Sequence, residues 1–398
     1  MEMKMNSLER VINALEHKQP DRVPIFGDVI DSVDILKHFD GPQIMGTLSS
    51  LVNIARFMIG WKRILGWFYK KITPIRINFQ IKQYKFYERM GADLTYFPAN
   101  LPTYIKFIDK KTMVTDFGSK MRFYTLPKGL ETIYYVEGYW KSKEDYESWK
   151  LPTADDKKND QILSGYEKVY KEMEEENIDL VIAPTFGEIF GRIWNGFGME
   201  VFSKLLFKDP KFISKVFNDV GSFTYQRIKR FMNLDRPPKI IWLSEDLGEK
   251  LGPMMPPRLL EKYVFPWHKK ICDMVHQKGS KIILHSCGNI RELIPYFIES
   301  GFDALNPIQA TVPMDIFEIH EKFGDEITLV GNVPMPLLTR GTVDEVRDYT
   351  LKLLKQVAPR GGFICAADHS IPPNTIAENY IEGILNTIKK YGKYPINL

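Results

Sequence analysis

Short runs of β-branched and aromatic residues alternate along the chain with longer stretches in which apolar residues recur every three or four positions. The first pattern is typical of buried strands, and the second is typical of amphipathic helices. The eight predicted strands are Val23–Phe26, Leu94–Pro98, Leu180–Pro184, Ile240–Ser244, Ile282–His285, Ala304–Pro307, Thr328–Val330 and Phe363–Ala366. The clearest predicted helices cover residues 257–277, 314–323, 343–357 and 374–391.

Eight strands, most of them followed by a helix, predict an α/β fold of the (β/α)8 or TIM barrel type. The alternative is a doubly wound parallel sheet, which often carries a glycine-rich phosphate loop after an early strand, and the sequence has no such fingerprint there. We expect a single barrel domain over residues 1–398 with two insertions in its first half. Residues 29–83 are interpreted as a helical insert. Residues 103–140, with turn signals at Gly118 and Gly129, are interpreted as a small antiparallel sheet.

Composition and charge exclude several classes of protein. The 398 residues are 44% hydrophobic and 26% charged, which is typical of a globular chain and not of a disordered one. A net charge of +4 is too small to indicate nucleic-acid binding, and three cysteines exclude a disulfide scaffold and fit the cytoplasm. The apolar stretch 45–71 is interrupted by Arg56, Lys62 and Arg63, so we predict a capping helix pair there and no membrane span.

Two predicted strands end in residues that bind transition metals. His285 and Cys287 close the fifth strand, and Cys365 lies near the end of the eighth. Side chains two positions apart in an extended chain point the same way, and all strands of a (β/α)8 barrel end at one mouth. One histidine and two thiolates suit zinc and leave a fourth position open, as in catalytic zinc sites. We therefore predict a zinc site formed by His285, Cys287 and Cys365.

For each cysteine the alternative is a small apolar core residue. That interpretation suits Cys272, which lies in a predicted helix beside Ile271 and near Met274. Other polar residues also follow predicted strands, where barrel enzymes carry their active sites. The candidate catalytic residues are Asp246, Glu188 and His369, and the candidate substrate-binding residues are Asn306, Gln309, Asn332 and Asp28. For Asn306, Gln309 and Asn332 the alternative is a structural role such as capping a loop. For Glu188 it is a weak fourth zinc ligand, and for His369 a surface residue.

Three stretches resemble the uroporphyrinogen decarboxylase superfamily, in its branch of zinc-dependent corrinoid methyltransferases. The first combines ERVINAL at 9–15 with DRVP at 21–24. The second runs from EDLG at 245–248 to HSCGN at 285–289, and the third joins Cys365 to DHSIPPN at 368–374. The resemblance covers the first 28 residues and nearly everything from about residue 180 onward. It is weak across much of 29–175.

This resemblance implies a (β/α)8 barrel with bound Zn²⁺ and a corrinoid supplied by a partner protein. The decarboxylase itself fits poorly, because VPIFG at 23–27 stands where its arginine-bearing signature would be. The aromatic insertions could wall a pocket for a bulky methyl donor. We therefore expect an O-demethylase component that moves a methyl group from a methoxylated aromatic compound to the cob(I)alamin of a corrinoid protein, which is anaerobic chemistry.

Several alternatives remain open at this point. The same branch contains methylcorrinoid:coenzyme M methyltransferases, and other methyl donors, such as methylamines or methyl thiols, are compatible with the same residues. A decarboxylase-like barrel or a zinc barrel without catalytic activity is a further alternative. The sequence leaves the oligomeric state undecided, with a homodimer among the options.

Overall fold

An eight-stranded parallel sheet is the centre of the fold. The computed structural model describes residues 5–42, 77–99, 105–109, 111–125 and 131–398. Along this sheet the strands follow the order β1-β2-β7-β8-β9-β10-β11-β12. Their bounds are Phe26–Gly27 (β1), Leu94–Phe97 (β2), Val181–Phe186 (β7), Ile240–Ser244 (β8), Lys281–His285 (β9), Ala304–Asn306 (β10), Thr328–Val333 (β11) and Phe363–Ala367 (β12).

Helices connect consecutive strands of this sheet, as in other α/β barrels. Before β7 the described helices are Ser7–Leu15, Val33–His38, 77–90, Lys143–Glu147 and Lys157–Glu175. After β7 they are Phe190–Phe197, Met199–Lys208, Pro210–Met232, Pro257–Tyr263, Phe265–Gln277, Ile294–Ser300, Ile316–Phe323, Met335–Arg340, Val343–Gln356, Ala377–Tyr380 and Thr387–Tyr391. Short 3₁₀ turns lie at Arg291–Leu293 and Ala358–Arg360, and a π-helical turn at Ile381–Asn386.

The two edges of the sheet meet and close the barrel. Ile25, just before β1, pairs in parallel with Cys365 of β12, and the backbone N–H of Cys365 donates to the carbonyl of Pro24 over 2.9 Å. Closure leaves no free sheet edge, which distinguishes a barrel from an open doubly wound sheet. The predicted (β/α)8 barrel is therefore confirmed, and the doubly wound alternative is wrong.

Every barrel strand is buried on both faces, as parallel sheets require. The inner face forms a core of its own, to which Phe26, Trp242, Ile283 and Ile364 contribute. Residues at odd positions of β12, including Cys365, belong instead to the larger core between the strands and the surrounding helices. The alternation along each strand thus decides which side chains can reach the mouth of the barrel.

A four-stranded antiparallel sheet lies in the chain between β2 and β7, which confirms the second predicted insertion. Its strands are Ile105–Phe107 (β3), Thr112–Thr115 (β4), Ser119–Thr125 (β5) and Glu131–Gly138 (β6). The sheet packs on the helix Phe190–Phe197, where the backbone N–H of Trp140 donates to the carbonyl of Gly196. The ring of Trp140 is fully buried there against Phe197, so this aromatic residue belongs to the core.

Most of the first predicted insertion, residues 29–83, falls at positions 43–76, which lie outside the described residues. The predicted capping helix pair at 45–71 lies there too. On either side, the described chain forms the helix Val33–His38 and a helix over 77–90. Among the described residues, no helix is long and apolar enough to span a membrane.

Two predicted helices are divided in the structure. Residues 257–277 form Pro257–Tyr263 and Phe265–Gln277, because Pro266 cannot donate a helical hydrogen bond and instead occupies the first turn of the second helix. Residues 374–391 include the π-helical turn near the chain end. By contrast, Val343–Gln356 begins at the predicted position, with a reciprocal capping box between Thr342 and Glu345.

Candidate metal centre at the barrel mouth

Three metal-binding side chains converge where β8 and β9 end. One donor atom each from Asp246, His285 and Cys287 lies within 4.8 Å of the other two. The Sγ of Cys287 is 3.4 Å from Nε2 of His285, and the Oδ1 of Asp246 is 3.8 Å from the same nitrogen. His285 continues the inward face of β9 after Ile283, so its ring points into the mouth.

The loop that carries Cys287 is held by its neighbours. Asp246 accepts a hydrogen bond from the backbone N–H of Cys287 over 2.9 Å, and Gln309 accepts one from Gly288 over 2.9 Å. Gly288 has a positive φ of 84°, and an added Cβ would lie 2.3 Å from the backbone of Gly248. A side chain at position 288 would therefore displace the loop that carries Cys287.

The separation between the donor atoms of His285 and Cys287 fits a shared zinc ion. Zinc bonds of about 2.0–2.1 Å to nitrogen and 2.3 Å to sulfur place the two donor atoms of a tetrahedral site about 3.6 Å apart. The observed separation between His285 Nε2 and Cys287 Sγ, 3.4 Å, is close to that value. Three protein ligands of mixed type leave a fourth position for a substrate, as in catalytic zinc sites. The residues therefore fit the group that the sequence predicted.

The negative charges around the Cys287 thiol also favour a bound cation. Burial raises the pKa of Cys287 to about 12, and the nearby carboxylates of Asp246, Asp28 and Asp368 act in the same direction. Without a metal the sulfur therefore stays protonated at neutral pH. A divalent ion reverses this preference, because metal coordination deprotonates a thiol.

Cys365 does not join this group in the structure. It was predicted as the third zinc ligand, but its side chain lies on the outer face of β12, among the helices, together with Phe363 and Ala367. Ile364 and Ala366 occupy the inner face instead. The Cys365 thiol is fully buried, and desolvation raises its pKa to about 12, as expected for a core cysteine. Asp246 stands in the described cluster in its place.

The opposite wall of the mouth carries Asp28 and His369. Burial raises the pKa of Asp28, whereas the imidazoles of His285 and His369 and a hydrogen bond from Tyr96 oppose that rise. Asp28 therefore lies near both histidines. The loops that follow β1 and β12 are joined there, since Ile30 and Ile371 pair in parallel. His369 is exposed on the loop after β12 and lies close enough to Asp28 to oppose the rise in its pKa.

Three aromatic rings form the floor beneath the cluster. Phe26 stacks on Trp242 with ring centroids 4.8 Å apart, and Tyr96 meets both rings edge-on. The ring of His285 lies 6.5 Å from that of Trp242. The metal-binding side chains therefore stand on an apolar, water-excluding base, which strengthens electrostatic interactions above it.

Two glutamates near Asp246, Glu188 and Glu245, differ in their surroundings. Glu188 follows β7, and burial raises its pKa to about 8, with a further contribution from Asp246 and Glu245. Glu245 is fully buried and accepts hydrogen bonds from the backbone N–H groups of Ile189 and Phe190, at 2.7 and 2.8 Å. It thus anchors the start of the helix Phe190–Phe197 beside Glu188.

Sequence reasoning missed the role of Glu245 and of its partner His268. Nε2 of His268 lies 3.4 Å from Glu245, and both side chains are fully buried. Alternation along β8 was the available signal. Trp242 and Asp246 lie an even number of positions apart and face the barrel axis and its mouth, so Glu245 must face the helices.

The remaining predicted residues bond to protein groups in the structure. Asn332 is buried, donates to the carbonyl of Ile308 and accepts from the hydroxyl of Tyr349. Asp368 accepts from the backbone N–H groups of Met335 and Ala310, so it ties together the loops after β10 and β11. Asn306 bonds to His285 through its side chain.

Replacing Glu188 by Gln should change how stability depends on pH. Because the folded carboxyl has a pKa of about 8 and the unfolded one about 4.5, folding binds a proton between these values. Stability of the wild type therefore falls as pH rises through that window. In the metal-free protein, Glu188→Gln should be more stable than wild type at pH 8.5 by roughly 1–3 kcal/mol and should lose this advantage near pH 4.5.

Denaturant midpoints of both proteins from pH 4.5 to 8.5 measure this difference. Glu167→Gln, on the exposed face of the helix Lys157–Glu175, is the matched control and should follow the wild-type pH dependence. Equal pH profiles for Glu188→Gln and wild type would show that the carboxyl is not destabilised by burial.

Comparison with known sequences and structures places this site in a family. Residues 88–391 match the sequence profile of the uroporphyrinogen decarboxylase (URO-D) family, which covers well over half of the chain. The chain belongs to the uroporphyrinogen decarboxylase family. The match includes the ends of strands β2 and β7 to β12, and therefore every residue of the metal cluster.

Among relatives of this URO-D family member are methyltransferases. A methylated-thiol–coenzyme M methyltransferase of Methanosarcina mazei is 25% identical over 112 residues, a segment that spans 28% of this chain and 29% of that relative. A solved methyltransferase from Methanosarcina mazei superposes with a TM-score of 0.61 at 15% identity, covering 97% of this chain and 99% of the other. The superposition supports the shared fold. The predicted resemblance to the uroporphyrinogen decarboxylase superfamily is confirmed, and the similarity to methyltransferases agrees with the predicted branch.

Proposed function

We propose that this protein is a zinc-dependent methyltransferase that passes a methyl group from a methoxylated aromatic compound to the cob(I)alamin of a corrinoid protein. The observation that carries the proposal is the cluster of Asp246, His285 and Cys287 at the mouth of the barrel. The donor atoms of His285 and Cys287 have the spacing of zinc ligands. Three protein ligands would leave the fourth position of a tetrahedral site open. The similarity to methyltransferases supports the type of reaction.

The reaction balances as a transfer of a methyl cation. The bond between the ether oxygen and the methyl carbon breaks, and its electron pair stays on oxygen as a phenolate. The electron pair of cobalt(I) forms the new cobalt–carbon bond, and the phenolate then takes a proton. Bound zinc supplies Lewis acidity that stabilises negative charge developing on the leaving oxygen.

The chain's own residues divide this task. Asp246, His285 and Cys287 hold the metal at one wall, and His369 with Asp28 faces it from the other. We assign Glu188 as the proton donor to the leaving oxygen, because it follows β7 near Asp246 and burial favours the protonated form of its carboxyl. The aromatic floor under His285 excludes water from below.

The mixed donor set favours an oxygen substrate over a sulfur one. The cluster combines one carboxylate oxygen, one imidazole nitrogen and one sulfur, and the second predicted thiolate, Cys365, faces the helices instead. Replacing a thiolate by a carboxylate makes a metal site harder, and harder sites prefer oxygen ligands. An ether or phenolate oxygen therefore suits the open position.

Methyl transfer to or from a thiol is the second candidate. It is supported by the similarity to a methylated-thiol–coenzyme M methyltransferase. In that case Asp246, His285 and Cys287 would hold the metal, and the metal would lower the pKa of the substrate thiol and favour its thiolate form. The two candidates use the same residues and differ in which methyl compound the mouth accepts.

One assay separates these candidates. Zinc-loaded protein and cob(I)alamin are incubated in two parallel reactions, one with a methoxybenzoate and one with a methyl thioether. The absorbance of methylcobalamin is followed in both. A separate reaction contains methylcobalamin and coenzyme M. We expect turnover with the methoxybenzoate. Turnover confined to the sulfur compounds would establish the second candidate, and zinc binding with no turnover in any reaction would favour a non-catalytic zinc barrel.

A corrinoid protein must approach the mouth for either reaction, so we propose it as the physiological partner. We also place the reaction in an anaerobic, reducing cytoplasm, because cob(I)alamin requires reducing conditions and all three cysteines are free thiols. We also propose a homodimer, and light scattering measures the oligomeric state of the protein.

Variants of Cys365 and His369 test which residue of the β12 segment serves the site. We expect Cys365→Ala to keep bound zinc and activity, because its thiol faces the outer core. His369→Ala should lose activity at least 10-fold, since the imidazole lies near Asp28 in the mouth. Zinc content and methyl-transfer rate are measured for both. Loss of zinc in Cys365→Ala alone would restore the ligand set predicted from the sequence.

A further inference from the structure

Asn306 is buried directly beside the histidine of the metal cluster. It is 1% exposed and ends β10, where it pairs in register with His285 of β9. Its Oδ1 lies 2.6 Å from Nδ1 of His285, and its Nδ2 lies 3.3 Å from the carbonyl oxygen of Val330. Both polar atoms of the amide are thus engaged by the barrel itself, although the sequence had suggested substrate binding.

These contacts determine the orientation of the amide. The carbonyl oxygen of Val330 can only accept a hydrogen bond, so the group facing it must be the amide nitrogen of Asn306. The amide oxygen consequently faces His285. Since an amide oxygen only accepts, Nδ1 of His285 must carry the proton.

The orientation in turn determines which nitrogen can bind a metal. A neutral imidazole has a proton on one nitrogen and a lone pair on the other. With the proton on Nδ1, the lone pair is on Nε2, which lies 3.4 Å from the Cys287 sulfur and 3.8 Å from the Asp246 carboxylate. The carbonyl of Val330 orients the amide of Asn306, and this amide in turn determines which nitrogen of His285 has the lone pair.

We propose that Asn306 is a positioning residue that holds His285 in the Nδ1-protonated tautomer, with Nε2 ready to bind the metal. The part that concerns metal affinity rests on the proposed function, whereas the tautomer does not. Hydrogen-bond partners of this kind fix the ring orientation of metal-binding histidines and raise their basicity, and their loss typically lowers metal affinity 10- to 100-fold.

The tautomer is measured in the metal-free protein by two-bond ¹H–¹⁵N correlation of the histidine rings at pH 8.5. The His285 signals are assigned by their absence in His285→Gln. In wild type we expect a protonated Nδ1 and an unprotonated Nε2. Asn306→Leu, which removes the acceptor at similar size, should shift His285 toward the other tautomer. Asn306→Asp keeps an acceptor and should retain the wild-type tautomer.

Zinc affinity is measured on the same variants by competition with a chelator. We expect Asn306→Leu to bind zinc 10- to 100-fold more weakly and Asn306→Asp to stay within a few-fold of wild type. The matched control is Asn379→Leu. It removes another buried amide, which donates to Leu337 and Gly341, and should change neither tautomer nor affinity.

Each outcome decides between the two proposals. A wild-type His285 protonated on Nε2, or an Asn306→Leu variant with unchanged tautomer and zinc affinity, overturns the positioning role even if zinc binds and methyl transfer proceeds. The expected tautomers together with no zinc binding in wild type would reject the proposed function and leave control of the tautomer by Asn306 intact. Because the wild-type spectrum alone can contradict the proposal, the test does not depend on folding of the variants.

Discussion

His285→Ala and Cys287→Ala should each abolish stoichiometric zinc binding and lower methyl transfer about 10³-fold or more, while the barrel remains folded. Each substitution removes one of the three proposed ligands, and the two that remain should bind zinc much more weakly. A metal Lewis acid supplies several kcal/mol of transition-state stabilisation, which corresponds to a rate loss of that size. The fold should survive, because large apolar cores inside and outside the barrel stabilise it independently.

Metal analysis, methyl-transfer assays with cob(I)alamin and circular dichroism measure these three properties. Cys272→Ala is the matched control, since Cys272 is a fully buried cysteine in the helix Phe265–Gln277 and should keep zinc and activity. A variant that kept a full equivalent of zinc would remove its residue from the ligand set. Broad loss of helical signal on losing zinc would instead indicate a structural metal.

The fold could be predicted from the sequence because local and global signals agree. Eight strand patterns separated by helix patterns are typical of a closed (β/α)8 barrel. The structure has a barrel strand at each of these patterns. Strand ends near His285 were located to within a residue or two. Turn signals at Gly118 and Gly129 also placed the small sheet of β3 to β6 correctly.

The outward direction of Cys365 could not be predicted, and the reason lies in β12. A parallel barrel strand is buried on both faces, so FICAA at 363–367 reads as an uninterrupted apolar run with no alternation to separate inside from outside. Either phase of the strand was compatible with the sequence. Only packing shows that Ile364 faces the axis and Cys365 the helices.

The hydrogen-bond partners of the site were also hidden in the sequence. Asn306 ends β10 and Gln309 follows it, as substrate-binding residues often do, but their side chains bond to His285 at the end of β9 and to Gly288 just after it. That choice depends on the register between β9 and β10, which pairs Asn306 with His285. Register is a property of the assembled sheet and not of either segment alone.

The N-terminal residues that carried the family resemblance lie at the opposite end of the barrel from the metal cluster. The helix Ser7–Leu15 packs its apolar face into the inner core. Its Arg10 donates to Asp93, just before β2, and to Asp21, both at 2.6 Å. Arg22 also donates to Asp93, at 2.8 and 2.9 Å. Residues at this closed end of a barrel serve stability, whereas those at the mouth serve chemistry.

Arg10→Met should therefore destabilise the protein by about 3–5 kcal/mol without changing the metal site. The Arg10 and Asp93 side chains are only 3% and 1% exposed, so the substitution leaves a buried carboxylate short of one partner. Urea unfolding measures the loss. Arg236→Met is the matched control, because its ion pair with Glu174 is exposed and should contribute about 0–1 kcal/mol.

Zinc content and the rate of methyl transfer at a temperature where Arg10→Met is still folded complete this test. We expect both to equal those of wild type, because the substitution lies at the far end of the strands from Asp246 and Cys287. A variant of wild-type stability would mean that Arg22 alone compensates Asp93. A folded variant with impaired zinc binding would contradict the separation between the stabilising end of the barrel and its reactive mouth.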